Sequence, residues 1–220
     1  EGDDLGCHPS KRHTDFALWA PTATRVILEL LGSPAKVHEA VRHEKGVWRV
    51  QVPGNLHGHR YLYHILVNGA WTTSTDPIAR SSTANNTASV VVDYAQVSVE
   101  NFSHCLPPFI RPTDAILYEL SVRDFTAQPE SGVTHRSKFL GLTESKTTTP
   151  NGISTGLDHI VELGVTHVQL MPIYDFATVD EDNPHAFYNW GYDPLQYNVP
   201  EGSYSSDPSD PLLRVKEARQ

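Results

Sequence analysis

The chain changes its hydrophobic period once, and that change limits its fold more than any other feature. Over residues 14–93 apolar side chains recur at every second position, in short runs cut by turns. Val26, Leu28 and Leu30 alternate with Arg25 and Glu29, as a half-buried strand requires. Val47-Trp48-Arg49-Val50-Gln51-Val52 alternates again and ends at Pro53-Gly54. Phe16-Ala17-Leu18-Trp19-Ala20 stops at Pro21, and the β-rich run 61–67 closes on Asn68-Gly69, a dipeptide suited to a tight hairpin turn. With further runs at 71–75 and 89–92, roughly six or seven short strands and no helical period predict an immunoglobulin-like β-sandwich.

Periodicity is lost across 94–113, where Pro107-Pro108 and Pro112 read as a linker. The pattern then differs. Ala115-Ile116-Leu117-Tyr118-Glu119-Leu120-Ser121-Val122 is a near-continuous β-run, expected of a strand covered on both faces. After a polar excursion over 126–151, Thr155-x-x-Asp158 resembles a capping box. Leu157, Ile160 and Val161 share a helical face, and Gly164 supplies a stop. Residues 165–171 read as a second buried strand, ended by Pro172. A strand–helix–strand unit of parallel type predicts the opening of a (β/α)8 TIM barrel. The expected division is 1–93 β-sandwich, 94–113 linker and 114–220 first part of the barrel. Beyond Pro172 roughly forty residues show almost no apolar periodicity, and a loop of that length in a compact domain is usually functional. Asp210 and Pro211 then set up a helix carrying Leu212, Leu213 and Val215. The chain starts at Glu1 and stops at Gln220, inside that helix. Two barrel strands cannot bury their own faces, so the expectation is a truncated portion of a longer protein.

Composition removes several function classes. Hydrophobic content of 39% and charged content of 20% are globular values. Lys and Arg number 17 against 26 Asp and Glu, a formal charge of −9, which argues against nucleic acid and anionic membrane as partners. No apolar run reaches membrane-spanning length and the N-terminus is not signal-like, so cytoplasmic and secreted locations both stay open. Cys7 and Cys105 are expected as free, inert thiols rather than a pair. None of the 12 His, His57-Gly-His59 included, has metal-site spacing. Asp180-Glu181-Asp182 could hold a structural Ca²⁺, but a solvated acidic loop is the favoured reading, and no cofactor is expected. Gly-x-Ser-x-Gly, phosphate-loop and dinucleotide motifs are all missing.

What remains is the aromatic string Tyr188-Asn189-Trp190-Gly191-Tyr192-Asp193-Pro194. Asn, Gly, Asp and Pro at that density deny a regular helix or strand, so its rings ride on a loop. Such rings can offer flat apolar faces to the C–H face of a sugar, with Asn and Asp beside them for hydroxyls. The bland alternative is a loop tucking its rings onto its own domain. Glycoside hydrolysis needs two carboxyl groups flanking the bond, about 5–5.5 Å apart for retention. The acids near expected strand ends are Asp124, Asp175 and Asp193. Asp124 beside Arg123 favours a buried ion pair, and Asp175 between Tyr174 and Phe176 favours a loop wall. Asp193 is the best candidate for a substrate hydroxyl. Spacing alone names no nucleophile–base pair.

These strings together resemble the type I pullulanase family within the α-amylase family, glycoside hydrolase family 13. The resemblance rests on the run 114–125, on Gly141-Leu142-Thr143-Glu144, on Gly156-Leu157-Asp158 and on Leu163-Gly164-Val165-Thr166-His167-Val168-Gln169. The heptapeptide 188–194 is its most specific part. Residues 16–21 with Asp76-Pro77 resemble the β-sandwich that precedes the barrel in debranching and branching enzymes. The resemblance implies hydrolysis of α-1,6-glucosidic linkages in pullulan, amylopectin and limit dextrins, with retention. It implies that Tyr192 stacks under a sugar, that Asp193 helps hold it, and that Asn189 and Trp190 shape the same wall. It also implies that the catalytic carboxylates lie on later strands, so this chain holds none and needs the remaining barrel as partner. A non-catalytic α-glucan-binding protein and a glycogen-branching enzyme are the alternatives.

Overall fold

The computed structural model describes residues 4–99 and 110–220. Cys105 and Pro107-Pro108 lie outside the described residues, and with them any pairing of Cys105.

The alternating runs form antiparallel sheets. Strands β1 (Gly6–Pro9), β2 (His13–Trp19), β3 (Arg25–Leu31), β4 (Lys36–Glu39), β5 (Val41–Arg42), β6 (Val47–Pro53), β7 (Arg60–Val67), β8 (Ala70–Ser74) and β9 (Ser89–Val90) divide into two of them. One has the order β1-β2-β6-β5; the other runs β4-β3-β7-β8, with β9 also paired to β7. The period of two decides which residues face inward. Val26, Leu28 and Leu30 of β3 meet Phe16 and Leu18 of β2, Trp48 and Val52 of β6, and Tyr61 and Tyr63 of β7 in one buried core. Each such side chain contributes on the order of 1.5–3 kcal/mol of burial. Aromatic edges organise the centre, with Phe16–Tyr61 at 5.0 Å and Tyr61–Tyr63 at 5.9 Å, both T-shaped. The Tyr61 hydroxyl donates to buried Asp76 (2.8 Å), whose other oxygen accepts from Ile78 N, so a polar pair sits inside the core fully engaged. Asn68 and Gly69 both take positive φ, 50° and 79°, and turn β7 into β8 as a type I′ hairpin demands. Cys7 is a free, buried thiol whose pKa burial pushes up.

Further along the chain, β10 (Leu117–Leu120) pairs in parallel with β11 (His167–Leu170), Leu117 opposite His167. Between them lie α1 (Val122–Phe125) and α2 (Gly156–Leu163), the latter closed by Gly164 at φ 67°. Two details depart from expectation. Thr155 caps α2 only by position: its hydroxyl donates to Ser131 O, and Asp158 accepts from Lys146 N, so no capping box forms. The parallel pair is not covered on both faces. Leu117 is 66% exposed, and Ile116, Val168 and Leu170 are also exposed, because no further strand or helix packs there among the described residues.

The stretch beyond Pro172 is not one long loop. Strands β12 (Tyr174–Phe176) and β13 (Pro194–Pro200) pair antiparallel within it, with register shifts on either side of Asp175. Prolines at both ends of β13 and the irregular register hide the period of two. Helix α3 (Pro211–Glu217) starts as expected, with Asp210 accepting from Leu212 N and Leu213 N. A second small core of Val122, Phe139, Phe176, Val179 and Tyr204 lies beneath this region. Among the described residues no helix is long and apolar enough to cross a membrane.

Candidate functional site

The aromatic string is the strand-to-strand connection from β12 to β13, and it turns its rings outward. Trp190 and Tyr192 are each 62% exposed, with Phe187, Tyr188 and Tyr197 equally open. Burial cannot hold such rings, so polar contacts hold the backbone that carries them. Asn189 does most of this. Its side-chain nitrogen lies 2.8 Å from Ala177 O, 2.8 Å from Asp193 Oδ1 and 2.6 Å from Thr178 Oγ1, and its oxygen accepts from Gly191 N at 2.7 Å. Thr178 donates to Asp193 Oδ2 (2.8 Å), and Ala177 N donates to Asp193 O (2.9 Å). Gly191 sits at φ 87°, where an added Cβ would stand 3.0 Å from both Phe176 and Pro172. The apex of the loop therefore rests directly on β12, with no space for a side chain.

The four expected binding residues are thus in one loop but in two layers. Tyr192 and Trp190 present faces to solvent; Asn189 and Asp193 lie behind them. Each Asp193 oxygen already accepts one internal bond and keeps a second lone pair. Beside the loop runs an open groove of about 440 Å³, lined in part by His135, Arg136, Lys138 and His185. Lys138 donates to Ser203 O (2.8 Å), and partial burial lowers its pKa.

The other acids are not where the sequence suggested. Asp124 is exposed and makes no ion pair with Arg123. It accepts instead from the Tyr188 hydroxyl (2.5 Å), while the Arg123 guanidinium lies 5.0 Å above the Tyr188 ring. Asp175 is no loop wall but a buried residue of β12, 1% exposed. Nor is Asp180-Glu181-Asp182 a solvated triplet: Glu181 is buried, 1% exposed, and forked by Arg214 at 3.1 and 2.6 Å. Asp175, Glu181 and Glu201 have ligand atoms within 4.8 Å of one another, the arrangement here that could hold a cation. In this fold the charge opposite them is Arg214, itself fully buried. Burial and the neighbouring Glu181 push both Asp175 and Glu201 up to about 7. The knot also ties the sandwich to the second half. Ser82 donates to Asp175, Asn85 N donates to Glu181, and Ser81 donates to Pro211 O. Sequence reasoning missed Glu201 and Arg214, because nothing local marks two residues brought together by fold alone.

Comparison with known proteins follows the same division. Residues 4–79 match the family model of carbohydrate-binding module 48, the isoamylase N-terminal domain. Pullulanase of Bacillus subtilis (strain 168) is 43% identical over 219 residues, which is 99% of this chain and 30% of that protein. Among solved structures, pullulanase from Anoxybacillus sp. LM18-11 complexed with maltotetraose superposes with a TM-score of 0.93 at 45% identity, over 99% of this chain and 32% of that one. Pullulanase from Paenibacillus barengoltzii complexed with maltohexaose and α-cyclodextrin gives 0.93 at 46%, covering 99% and 35%. The chain spans about a third of the length of these relatives.

Proposed function

We propose, from the premise that this chain belongs to the type I pullulanase family and carries a carbohydrate-binding module 48 domain at residues 4–79, that it supplies the glucan-holding part of a debranching hydrolase. The whole protein would cleave α-1,6-glucosidic linkages of pullulan, amylopectin and limit dextrins with retention. The catalytic carboxylates would come from outside residues 1–220. In this reading 1–93 is the sandwich, 94–113 the linker, and 114–220 the first part of a (β/α)8 barrel. The rest of that barrel would cover Leu117, Val168 and their exposed neighbours.

The observation that carries the reading is the pinned loop with its outward rings. Tyr192 would stack on the sugar next to the cleaved bond, and Trp190 would extend the same face. Asp193, through its spare lone pairs, would accept from a hydroxyl, and Asn189 would keep the platform in register. No cofactor enters this chemistry. The branching-enzyme alternative uses the same scaffold, but the likeness to pullulanases along 99% of this chain favours hydrolysis.

The test uses the full-length protein with pullulan, following reducing ends and product size. Release of maltotriose units, with loss of activity in Tyr192→Ala at unchanged melting temperature, is the expected result. Transfer of glucan segments without net hydrolysis would defeat the proposal.

A further inference from the structure

The aromatic loop is held from two sides, and only one of them lies within its own strand pair. The second comes from α1, the single turn that follows β10. Arg123 and Asp124, adjacent and of opposite charge, take Tyr188 between them. The guanidinium of Arg123 lies 5.0 Å over the ring, and its Nη1 donates to Phe187 O at 2.9 Å. The Tyr188 hydroxyl donates to Asp124 Oδ2 at 2.5 Å. The turn bearing the clamp is itself fastened: Ser121 Oγ accepts from Asp124 N (3.3 Å), and Ser137 Oγ donates to Arg123 O (2.9 Å).

Tyr188 is nonetheless 57% exposed. A surface ring gains little from burial, and fixing it costs side-chain entropy. Two polar contacts on one such ring, with a third on the Phe187 carbonyl beside it, therefore act on its placement more than on fold stability. A cation above the face and an anion at the hydroxyl fix both tilt and position, since the two contacts act on different parts of the ring.

We propose that Arg123 and Asp124 are positioning residues for the glucan-facing rings. They fix Tyr188, and through the two-residue step to Trp190 and the four-residue step to Tyr192 they set the row a sugar chain meets. This rests on the glucan reading given above. Neither residue touches the sugar in this role. Asp124 is engaged by the Tyr188 hydroxyl, and Arg123 by the ring and the Phe187 carbonyl.

The experiment compares Asp124→Ala, Tyr188→Phe, their double variant, Asp124→Asn and Tyr192→Ala in the full-length protein. Maltotetraose affinity is measured by calorimetry, melting temperature by scanning calorimetry, and iodide quenching of Trp190 against a Trp190→Phe control. Loss of a charge-assisted bond predicts maltotetraose binding weakened about tenfold in Asp124→Ala and in Tyr188→Phe, and no further in the double variant, since both remove one contact. Asp124→Asn keeps an acceptor for the hydroxyl and should restore most of the affinity, and Trp190 should be more readily quenched in Asp124→Ala with the melting temperature unmoved. Affinity within about twofold of the parent in both single variants, while Tyr192→Ala loses about tenfold or more, would overturn the positioning role and leave the glucan reading standing. Losses that add in the double variant, or that follow the melting temperature, would overturn it as well. Unchanged affinity in Tyr192→Ala would sink the glucan reading itself, and the positioning role with it.

Discussion

Arg214→Met should be the most damaging single change outside the sandwich core, and its damage should depend on pH. Arg214 is fully buried and is the cation of a knot containing Asp175, Glu181 and Glu201. Removing one partner of a buried pair leaves an uncompensated charge and costs about 3–5 kcal/mol. At about 2–4 °C per kcal/mol for a chain of this size, the melting temperature should fall on the order of 10 °C. The sign of the pH term follows from the two raised carboxyls. Folding lifts Asp175 from its ordinary 3.8, and Glu201 from 4.5, to about 7. Their neutral forms favour the folded state, so this contribution is whole at pH below about 4 and is lost as pH climbs through about 7. Each carboxyl forced to ionise in place costs on the order of 4 kcal/mol. At pH 5 Asp175 and Glu201 stay protonated in the variant, whereas towards pH 8 their ionisation has no guanidinium to face, so the loss grows with pH. Thermal unfolding at both values is the assay, with Arg214→Met/Glu181→Gln as the partial rescue. A fall of equal size at pH 5 and pH 8, or one under about 2 °C at pH 8, would refute the reasoning.

Three further outcomes are expected. In the proposed debranching role, Tyr192→Ala in the whole enzyme should lower kcat as well as kcat/KM on pullulan by on the order of 10²-fold, because stacking on a flattening sugar ring would matter most in the transition state, while Tyr192→Phe keeps the apolar face and should cost far less. Unchanged kcat in a well-folded Tyr192→Ala protein would remove this residue from the site. Gly191→Ala should destabilise by about 1–3 kcal/mol through its positive φ and the contacts with Phe176 and Pro172, and should blunt maltotetraose binding; a neutral melting curve would contradict the close approach. In chain 1–220 alone, hydrogen exchange should be slow across β2, β3, β6 and β7 and fast across β10 and β11, whose apolar faces are exposed; equal protection in both would oppose this.

The sandwich was legible because its strands are half-buried, and half-burial writes itself as alternation. Arg25 and Glu29 outside, Val26, Leu28 and Leu30 inside, is a pattern that sequence alone carries. The short strands β1, β4 and β5 lacked it: Lys36–Glu39 is mostly exposed and buries no apolar row. β12 and β13 escaped for another reason. Three residues are too few to show a period, and register shifts at Asp175 break the alternation that remains. The aromatic loop was legible as a loop, since its turn residues and rings are contiguous. Its support was not. Asp124 reads as the partner of its neighbour Arg123, yet its partner is Tyr188, 64 residues away. The buried knot was the least legible of all. Glu181 sits among other acids and looks solvated until Arg214, 33 residues on, is brought against it.

The internal bonding of Asn189, Thr178 and Asp193 bears on the heat and the speed of sugar capture in the proposed role. A loose aromatic loop would have to surrender conformational entropy when a glucan arrives, and its affinity would suffer by that amount. Here the ordering is completed during folding, by bonds that involve no ligand. Association should therefore proceed without a slow rearrangement step. Its enthalpy should be favourable and little offset by ordering of protein, and differences between glucans should lie chiefly in how fast they leave.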